Sequence, residues 1–227
     1  MEYAQTIFND LAKRYDFFCQ IASFFLDRFW RKRINSLIEP GEIILDLGTG
    51  TGELAFGINK AEKIIGIDFS WEMLKNAQLK NSKPANQHNE VEFIAADAQR
   101  IPFPVESFNS VVSGFVFRHL QKNINMILKE IYRVIKPEGK IIILEFSRPE
   151  FAFWRKIYYL YLDVIIPLIG RILFGKEKVK YFRYLQETII NFFSVGELKM
   201  ILSNNGFRKV GYYPLMGGVV GIYYGFK

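Results

Sequence analysis

One glycine-rich segment limits what this chain can fold into more than any other feature. A short apolar run, Ile43–Leu47, is followed directly by Gly48-Thr-Gly-Thr-Gly52, where a strand gives way to a helix. Three glycines let the backbone turn sharply and come close to a ligand. The first turn of the following helix adds free N–H groups and the positive end of the helix dipole. The segment therefore predicts a ligand site at the carboxyl end of a buried strand.

The same alternation of strand and helix continues along the chain. The run Ile141–Leu144 is continuously apolar, as a strand buried on both faces should be. Strands that alternate with helices imply right-handed crossovers and a parallel sheet. The further predicted strands are 64–68, 91–95, 108–113, 207–213 and 219–226, and the predicted helices include 71–79, 124–135 and 194–204. We therefore expect an α/β fold with a mostly parallel, seven-stranded sheet flanked by helices.

Four stretches divide the chain, which we expect to form a single domain overall. Residues 1–40 carry helical patterns up to a break at Pro40-Gly41 and are predicted to form a helical lid over the substrate. Residues 41–150 form the ligand-binding core. Residues 151–187 depart from the strand–helix rhythm and are predicted to be a helical insertion after strand five. Residues 188–227 complete the core.

The insertion at 151–187 is aromatic, aliphatic and basic. Between residues 151 and 183 it holds seven Lys or Arg against two acidic residues, in a chain of net charge +7. Such a segment can dock on anionic lipid, or it can simply roof the core. Asp163, Pro167 and Arg171 interrupt its apolar run, so no membrane span is predicted. The N-terminus lacks the layout of a signal peptide, and we expect a cytoplasmic protein with, at most, peripheral contact at the inner face of the membrane.

Metal, disulfide and nucleic-acid chemistry find little support in the sequence. The single cysteine, Cys19, excludes an intramolecular disulfide and a cysteine-rich zinc site, and it is most simply a helix-packing residue. With only His88 and His119, a histidine-based zinc site is not expected, and no metal is predicted. The positive charge would suit an RNA-modifying enzyme, but no RNA-binding module is recognisable, so no nucleic-acid partner is expected.

Two cofactors compete for the glycine-rich site. The pattern Gly50-x-Gly52-x-x-Ala55 fits the dinucleotide fingerprint, and Asp68, about 20 residues on, can accept hydrogen bonds from both ribose hydroxyls. The carboxylate of Asp46 would repel a pyrophosphate but suits a cationic amino-acid ligand such as S-adenosylmethionine. Asp97 can accept a hydrogen bond from the adenine amino group, and the Ala98 N–H can donate one to a ring nitrogen. Both features favour S-adenosylmethionine. The remaining alternative is that the glycines form only a tight turn and that Asp97 is a helix N-cap.

The order of these elements resembles that of the Rossmann-like class I S-adenosylmethionine-dependent methyltransferases. More narrowly, the chain resembles the ubiquinone/menaquinone biosynthesis C-methyltransferases along nearly its whole length. The matching motifs are Phe8-x-x-x-Ala12-x-x-Tyr15-Asp16, Leu45-Asp-x-Gly-Thr-Gly-Thr-Gly52, Gly66-Ile-Asp-Phe-Ser70, Met73-Leu74, Asp97-Ala98, Ile101-Pro-Phe103, Ser107-Phe108, Arg133-Val-x-Lys-Pro-x-Gly139, Leu144-Glu-Phe-Ser-x-Pro149, Tyr158-x-x-Tyr161, Pro167-x-Ile-Gly170, Tyr184-Leu185, Gly206-Phe207 and Gly218-Val-Val220. The motifs of the cofactor site are shared by many methyltransferases, whereas the motif at 144–149 and the insertion pattern are narrower signals.

The resemblance implies methyl transfer from S-adenosylmethionine, which leaves as S-adenosylhomocysteine, to a ring carbon of a prenylated quinol. The acceptor would be demethylmenaquinol or the equivalent ubiquinone precursor. The residues predicted to bind the cofactor are Asp46, Gly48, Thr49, Gly50, Thr51, Gly52, Asp68, Phe69, Met73, Asp97, Ala98 and Gly114. The residues predicted to bind the substrate are Tyr15, Phe115, Arg118, Tyr158, Tyr161 and Tyr184.

The chain departs from the family at Arg118-His119, where an Arg-Asn pair is usual. A quinol becomes a strong carbon nucleophile when one hydroxyl is ionised, so the protein must align donor and acceptor and stabilise the phenolate. Arg118 stays protonated and can stabilise that charge. His119 has the intrinsic range to take the proton, directly or through water. Both are candidate catalytic residues; the alternatives are that Arg118 pairs with a carboxylate and that His119 lies on the surface.

Other interpretations stay open at this point. Tyr158, Tyr161 and Tyr184 could line a quinol pocket or could be amphipathic packing on the helices of the insertion. The acceptor could be another lipid or small molecule, or the chain could be a non-catalytic, cofactor-binding assembly subunit. The ring type, the prenyl length and homodimer formation are not determined by the sequence.

Overall fold

In the residues that the structure describes, 2–83 and 90–227, seven strands form one sheet. The structure is a computed structural model, and His88 lies outside the described residues. The strands are β1 (Ile43–Leu47), β2 (Lys63–Asp68), β3 (Glu90–Ala95), β4 (Phe108–Gly114), β5 (Ile135–Phe146), β6 (Arg208–Leu215) and β7 (Val220–Phe226). The helices are α1 (Glu2–Leu11), α2 (Tyr15–Ala22), α3 (Asp27–Asn35), α4 (Glu53–Gly57), α5 (Trp71–Asn81), α6 (Phe117–Leu120), α7 (Ile124–Val134), α8 (Ala152–Leu160), α9 (Ile166–Phe174), α10 (Val179–Ile190) and α11 (Val195–Asn204).

The strand order places a crevice at the carboxyl ends of the central parallel strands. The order is β3-β2-β1-β4-β5-β7-β6, with β1 to β5 parallel and β7 antiparallel to both of its neighbours. The chain moves outward in one direction from β1 and in the other direction from β4. The loops after these two strands therefore diverge, and ligands of such sheets bind at the carboxyl ends beside this switch point. The predicted fold class, including the mostly parallel sheet, is confirmed.

Successive side chains of β5 fill two cores on opposite faces of the sheet. Ile142 and Leu144 belong to the core covered mainly by α1–α3 and α8–α10. Ile141 and Ile143 belong to the core covered mainly by α6, α7 and α11. All four side chains are fully buried, which explains why this strand has no polar position along its apolar run.

The N-terminal helices meet at an unusual turn. Between α2 and α3 the chain reverses at Phe24 and Phe25, which both adopt left-handed backbone conformations with φ of 52° and 62°. A bulky residue in this region costs roughly 1–2 kcal/mol. Ile7 and Leu11 of α1 and Trp30 of α3 are buried against the sheet side of the layer. The three helices thus cover the carboxyl edge of the sheet.

The insertion forms one nearly continuous helical segment. A π-helical turn at Tyr161–Ile165 joins α8 to α9, and Pro167 follows it at the start of α9, where a missing backbone N–H is tolerated. By length and composition the segment Ala152–Phe174 is apolar enough to cross a membrane, a test that core helices also pass. One side of it packs on the protein: Tyr158, Leu162 and Ile166 join the first core.

One local expectation was wrong. Ile135 was predicted on the apolar stripe of a helix, but α7 ends at Val134 and Ile135 begins β5. Pro137 follows closely and disfavours helical geometry at the preceding residue. The helix after the glycine-rich segment, α4, is only five residues long.

Candidate active site

The glycine-rich loop between β1 and α4 forms the floor of the site. Gly48, Gly50 and Gly52 all have positive φ, between 55° and 82°, a region that L side chains rarely adopt. At Gly48 a Cβ would also come within 2.7 Å of the Val116 side chain. The backbone N–H groups of Gly48 and Thr49 donate to the carbonyl of Ile67, so the loop is fixed to the end of β2. The predicted sharp turn is therefore present and held in place.

Asp68 at the end of β2 anchors the loop from the neighbouring strand. Its Oδ2 accepts a hydrogen bond from the Gly50 N–H and its Oδ1 accepts one from the Ser70 N–H, both at 2.8 Å. Burial raises the pKa of Asp68, and the two N–H donors oppose that rise. Each carboxylate oxygen keeps lone-pair capacity. Asp68 can therefore hold the loop and accept from ribose hydroxyls at the same time.

Asp46, in β1, is a buried carboxylate with an unsatisfied oxygen. The Thr49 hydroxyl donates to Oδ2 at 2.7 Å, whereas Oδ1 has no hydrogen-bond partner among the described residues. Burial raises the pKa of Asp46 to about 7, although the bond from Thr49 opposes the rise. Asp46 lines the cavity described below, and an unpaired, buried carboxylate oxygen there suits a cationic ligand. The carboxylate of Asp46 thus fits the positively charged sulfonium and ammonium groups of S-adenosylmethionine.

The raised pKa of Asp46 predicts that its charge lowers the stability of the folded protein while it favours binding of the cationic cofactor. Its folded-state pKa lies above the ordinary 3.8, so the folded protein holds this proton more tightly and loses stability as pH rises from about 4 to about 7. At pH 8 the free energy of unfolding of the Asp46→Asn variant should therefore be about 2–4 kcal/mol higher than that of wild type. At pH 4 this difference should be absent. Urea unfolding of the ligand-free protein at both pH values measures this difference.

The same variant should lose affinity for the cationic cofactor. Wild-type binding should tighten between pH 6 and pH 8 as Asp46 ionises, and binding to Asp46→Asn should stay weak and flat over that range. Calorimetric titrations across the range provide the comparison. A variant that is less stable than wild type at pH 8 would contradict the assigned environment of Asp46.

A single large cavity continues from the loop into an apolar chamber. It has a volume of about 400 Å³, within the range of small-molecule sites. The lining includes these residues that the sequence analysis had singled out: Tyr15, Asp46, Gly48, Thr49, Gly50, Thr51, Asp68, Phe69, Met73, Ala98, Gly114, Phe115, Arg118, His119, Tyr158 and Tyr161. The two predicted sets of residues, for cofactor and for substrate, therefore border one space.

Arg118 lies in the chamber as half of a buried ion pair. Its Nη1 donates to Oε1 of Glu145 at 2.9 Å and also to the carbonyl of Phe115. The guanidinium lies 5.2 Å from the ring centre of Phe146. The Nε atom is buried and has no hydrogen-bond partner among the described residues. Arg118 therefore does pair with a carboxylate, and its Nε–H is left without an acceptor in the described residues.

His119 is half-buried, with its ring packed between Phe8 and Tyr184, so it does not lie exposed on the surface as the alternative had it. Its Nδ1 lies 3.2 Å from the hydroxyl of Tyr184, and the two rings stack with centroids 5.7 Å apart. Phe8 meets the imidazole edge-on at 5.2 Å. Burial, together with the charge of Arg118, lowers the pKa of His119 well below its usual range. Within the described part of the chain, Nε2 has no partner, so a neutral imidazole presents a free nitrogen.

Three predicted residues lie outside the lining of the cavity. Gly52 packs instead, because a Cβ there would meet the rings of Phe56 and Phe93 at 2.7 and 2.9 Å. Asp97 is exposed and accepts a hydrogen bond from the backbone N–H of Gln99 at 2.9 Å, so its contact with adenine stays a prediction. Tyr184 does not line the cavity, but its hydroxyl lies against Nδ1 of His119, which does.

Sequence reasoning missed a polar cluster at the rim of the site. The Thr51 hydroxyl donates to Asp16 Oδ1, and Lys80 bonds both to Asp16 Oδ2 and to Glu53 Oε1 at 2.6 Å. Arg31 adds a contact to Glu53 at 3.3 Å. The cluster ties α2 and α3 to the glycine-rich loop and α5. The Tyr15-Asp16 motif was a signal for it, but its partners are distant in sequence.

Cys19 also lines the cavity, yet it is not a reactive group. Burial raises the pKa of its thiol to about 12, so the thiolate does not form at neutral pH. Among the described residues no group of three or more metal-ligating side chains is found. The chemistry of the cavity therefore rests on Asp46, Asp68, Arg118 and His119.

The sequence as a whole matches one family of known proteins. A family model described as the ubiE/COQ5 methyltransferase family matches residues 1–227. The demethylmenaquinone methyltransferase of Desulfitobacterium hafniense is 35% identical over 231 residues, covering 99% of this chain and 90% of that protein. The ubiquinone/menaquinone biosynthesis C-methyltransferase UbiE of Rickettsia akari is 35% identical over 230 residues, covering 98% of this chain and 91% of that protein.

Solved structures share the fold. A SAM-dependent methyltransferase from Aquifex aeolicus matches with a TM-score of 0.58 at 23% identity over 83% of each chain. One from Thermotoga maritima, described as a possible histamine N-methyltransferase, matches with a TM-score of 0.69 at 20% identity over 98% of this chain and 99% of that chain. At these identities the likeness shows the fold alone.

Proposed function

Since the chain belongs to the ubiE/COQ5 methyltransferase family, we propose that it methylates a ring carbon of a prenylated quinol, using S-adenosylmethionine. The acceptor is demethylmenaquinol or the equivalent ubiquinone precursor. The observation that carries this proposal is the single cavity that joins the loop held by Asp68 to an aromatic chamber around Arg118. The cavity combines a polar part, which fits S-adenosylmethionine, with an apolar part, which fits a prenylated quinol.

The glycine-rich loop and its two aspartates hold the methyl donor. S-adenosylmethionine supplies, when bound, an electrophilic methyl group on a sulfonium. Asp46, with its unsatisfied oxygen, would hold the cationic part of that molecule, and Asp68, which anchors the loop, would accept from the ribose. Gly114 and Phe115 border the passage from the loop to the chamber. The chain therefore contributes position and charge complementarity.

Arg118 and His119 act on the acceptor. The free Nε–H of Arg118 can donate to a ring oxygen and stabilise it as a phenolate. The free Nε2 of His119 can take the hydroxyl proton, because its lowered pKa keeps the imidazole neutral at physiological pH. Tyr158, whose buried hydroxyl also has no partner in the described residues, can orient the second ring oxygen.

Product analysis tests the proposed function directly. The purified protein is incubated with methyl-labelled S-adenosylmethionine and, in separate reactions, with a demethylated naphthoquinol and a demethylated benzoquinol. Label on a ring carbon of either quinol, located by mass spectrometry, supports the proposal. Label on neither quinol, with methylation of a different lipid or small molecule, would overturn it. Cofactor binding with no methylated product would instead favour a non-catalytic assembly subunit.

His119 should set the acid side of the pH profile. Saturating S-adenosylmethionine keeps the ionisation of Asp46 from limiting the rate. Because the pKa of His119 is lowered well below its usual range, kcat/KM for the quinol should then stay level from pH 8 down past pH 6.5 and fall only at lower pH. The variant His119→Asn should lower kcat about 100-fold, a typical contribution of a general base, and should remove that acid limb. An unchanged profile in the variant would show that another group takes the proton.

The location of the reaction is part of the same proposal. A prenylated quinol is itself dissolved in membranes, so the enzyme is proposed to act in the cytoplasm at the inner face of the membrane. The segment 151–187, with its basic excess, would supply the contact.

A further inference from the structure

The mouth of the cavity can be located from residues that both line the cavity and are exposed to solvent. Phe24 lies on one side of it, and Trp154, Ile157 and Met216 lie on the other. The two sides are in contact: the Tyr161 hydroxyl donates to the carbonyl of Ala22 at 2.6 Å. The mouth therefore lies between the turn that joins α2 to α3 and the start of α8.

An exposed aromatic group surrounds the first side of this mouth. We call Phe24, Phe25 and Phe29 the aromatic turn; their side chains are 67%, 55% and 62% exposed. Phe24 touches the ring of Tyr161 with centroids 5.8 Å apart, but most of its surface is open. Two of these three residues also carry strained, left-handed backbone. Packing within the chain therefore explains neither the strained backbone nor the exposure of these rings.

The insertion presents a matching stripe on the second side. Its outward residues recur every three or four positions, as on one face of a helix. They are Phe153, Ile157, Leu160, Val164, Leu168 and Ile172. Leu160 is 63% and Ile172 is 72% exposed. Together with the aromatic turn, this outer stripe makes an apolar surface that runs past the cavity mouth.

Basic side chains border this surface. Arg28 lies between Phe25 and Phe29, and Lys156 and Arg171 lie beside the outer stripe; all three are exposed. One acidic residue, Asp163, is also exposed there, and its carboxylate accepts a hydrogen bond from Gln186. The net positive border is complementary to anionic lipid headgroups.

We propose that the aromatic turn and the outer stripe dock together on an anionic bilayer, so that the cavity mouth opens into the lipid and the prenyl tail of the acceptor enters between them. The inference rests on the proposed function for the identity of the acceptor. It adds a second membrane contact, from the N-terminal helices, to the one expected of segment 151–187. Apolar side chains rimmed by cations are the arrangement that binds at a lipid interface.

A second copy of the chain is a poorer partner for the same surface. A twofold interface brings each patch against its own copy, so Arg28, Lys156 and Arg171 would face like charges. A membrane-spanning insertion is also disfavoured by packing. Leu162 and Ile166 are buried in the protein, and a Cβ at Gly170 would collide with the Phe182 ring, so the inner side of the helix is committed to the fold.

Vesicle binding with a paired activity assay tests the docking surface. The variant Phe25→Asn/Phe29→Ser leaves the cavity lining unchanged, and Asn tolerates the left-handed backbone better than Phe does. Its affinity for phosphatidylglycerol-containing vesicles at low salt should fall at least about tenfold. Its kcat/KM should fall by a similar factor for a long-tailed quinol in those vesicles, and should stay at the wild-type value for a short-tailed, water-soluble quinol.

Exposed apolar residues elsewhere give the matched control. Met126 and Met200 lie on α7 and α11, over the other core, and the variant Met126→Ser/Met200→Ser should bind vesicles like wild type. Wild-type protein that ignores anionic vesicles, or a Phe25→Asn/Phe29→Ser variant that binds them undiminished, would overturn the docking proposal. So would a wild-type dimer that the Phe variant dissociates. Failure to methylate even the short-tailed quinol would instead overturn the proposed function.

Discussion

Replacing Asp68 by alanine is expected to weaken the binding of S-adenosylmethionine at least about 100-fold, since hydrogen bonds to a charged acceptor contribute about 1.5–3 kcal/mol each. Asp68 is the anchor of the Gly50 and Ser70 N–H groups as well as the proposed acceptor for the ribose. Alanine removes the ligand contact and leaves the loop without its support. Isothermal titration with S-adenosylmethionine and with S-adenosylhomocysteine measures the loss.

Asp97→Ala is the natural comparison for this variant. Asp97 follows the next strand of the sheet, but its side chain is exposed and hydrogen-bonded within its own turn. Its removal should cost less than about tenfold in affinity, the size of a single exposed contact. Circular dichroism of both variants controls for folding. Binding by a folded Asp68→Ala protein within threefold of wild type would show that the cofactor site is assigned wrongly.

Replacing Glu145 by glutamine is expected to lower the free energy of unfolding by about 3–5 kcal/mol. The ion pair with Arg118 is almost completely buried, with side-chain exposures of 4% and 0%, so the single change leaves a guanidinium without a counter-charge. Glutamine keeps the size of the side chain and one acceptor oxygen, whereas its NH2 group replaces the other oxygen, which now accepts from a backbone N–H. Urea unfolding measures the lost charge pairing with little change in shape.

A double variant separates stability from chemistry at this pair. In Arg118→Met/Glu145→Gln neither of the two positions carries a charge, and the free energy of unfolding should return to within about 1.5 kcal/mol of wild type. Methyl transfer should not return, because the phenolate has lost its cationic partner. A double variant that methylates the quinol at the wild-type rate would show that Arg118 acts only in the fold.

The cofactor half of the site was predictable because its determinants are local in sequence. The glycine-rich loop, Asp46 and Asp68 each follow a strand whose apolar run is readable, and parallel strands bring their carboxyl ends together. The structure accordingly places Asp68 against the Gly50 N–H. Asp97 follows the same sequence logic, yet its side chain turns back to Gln99, which no strand pattern indicates.

The acceptor half was less predictable because its contacts join distant parts of the chain. Glu145 lies 27 residues after Arg118, and Tyr184 lies 65 residues after His119. Only the packing of α10 against α6 brings the second pair together. The partial burial of His119 has the same origin: its sequence neighbours do not indicate whether a four-residue helix will be covered by Phe8 from α1.

The carboxylate of Asp16 has a consequence for the catalytic cycle. It bonds both to Thr51 on the glycine-rich loop and to Lys80 on α5, while its own helix covers the cavity. The roof therefore cannot swing away from the donor pocket without breaking both contacts. An outward movement of these helices that released the spent donor would therefore have to be followed by re-formation of the hydrogen bond to Thr51 and of the ion pair with Lys80.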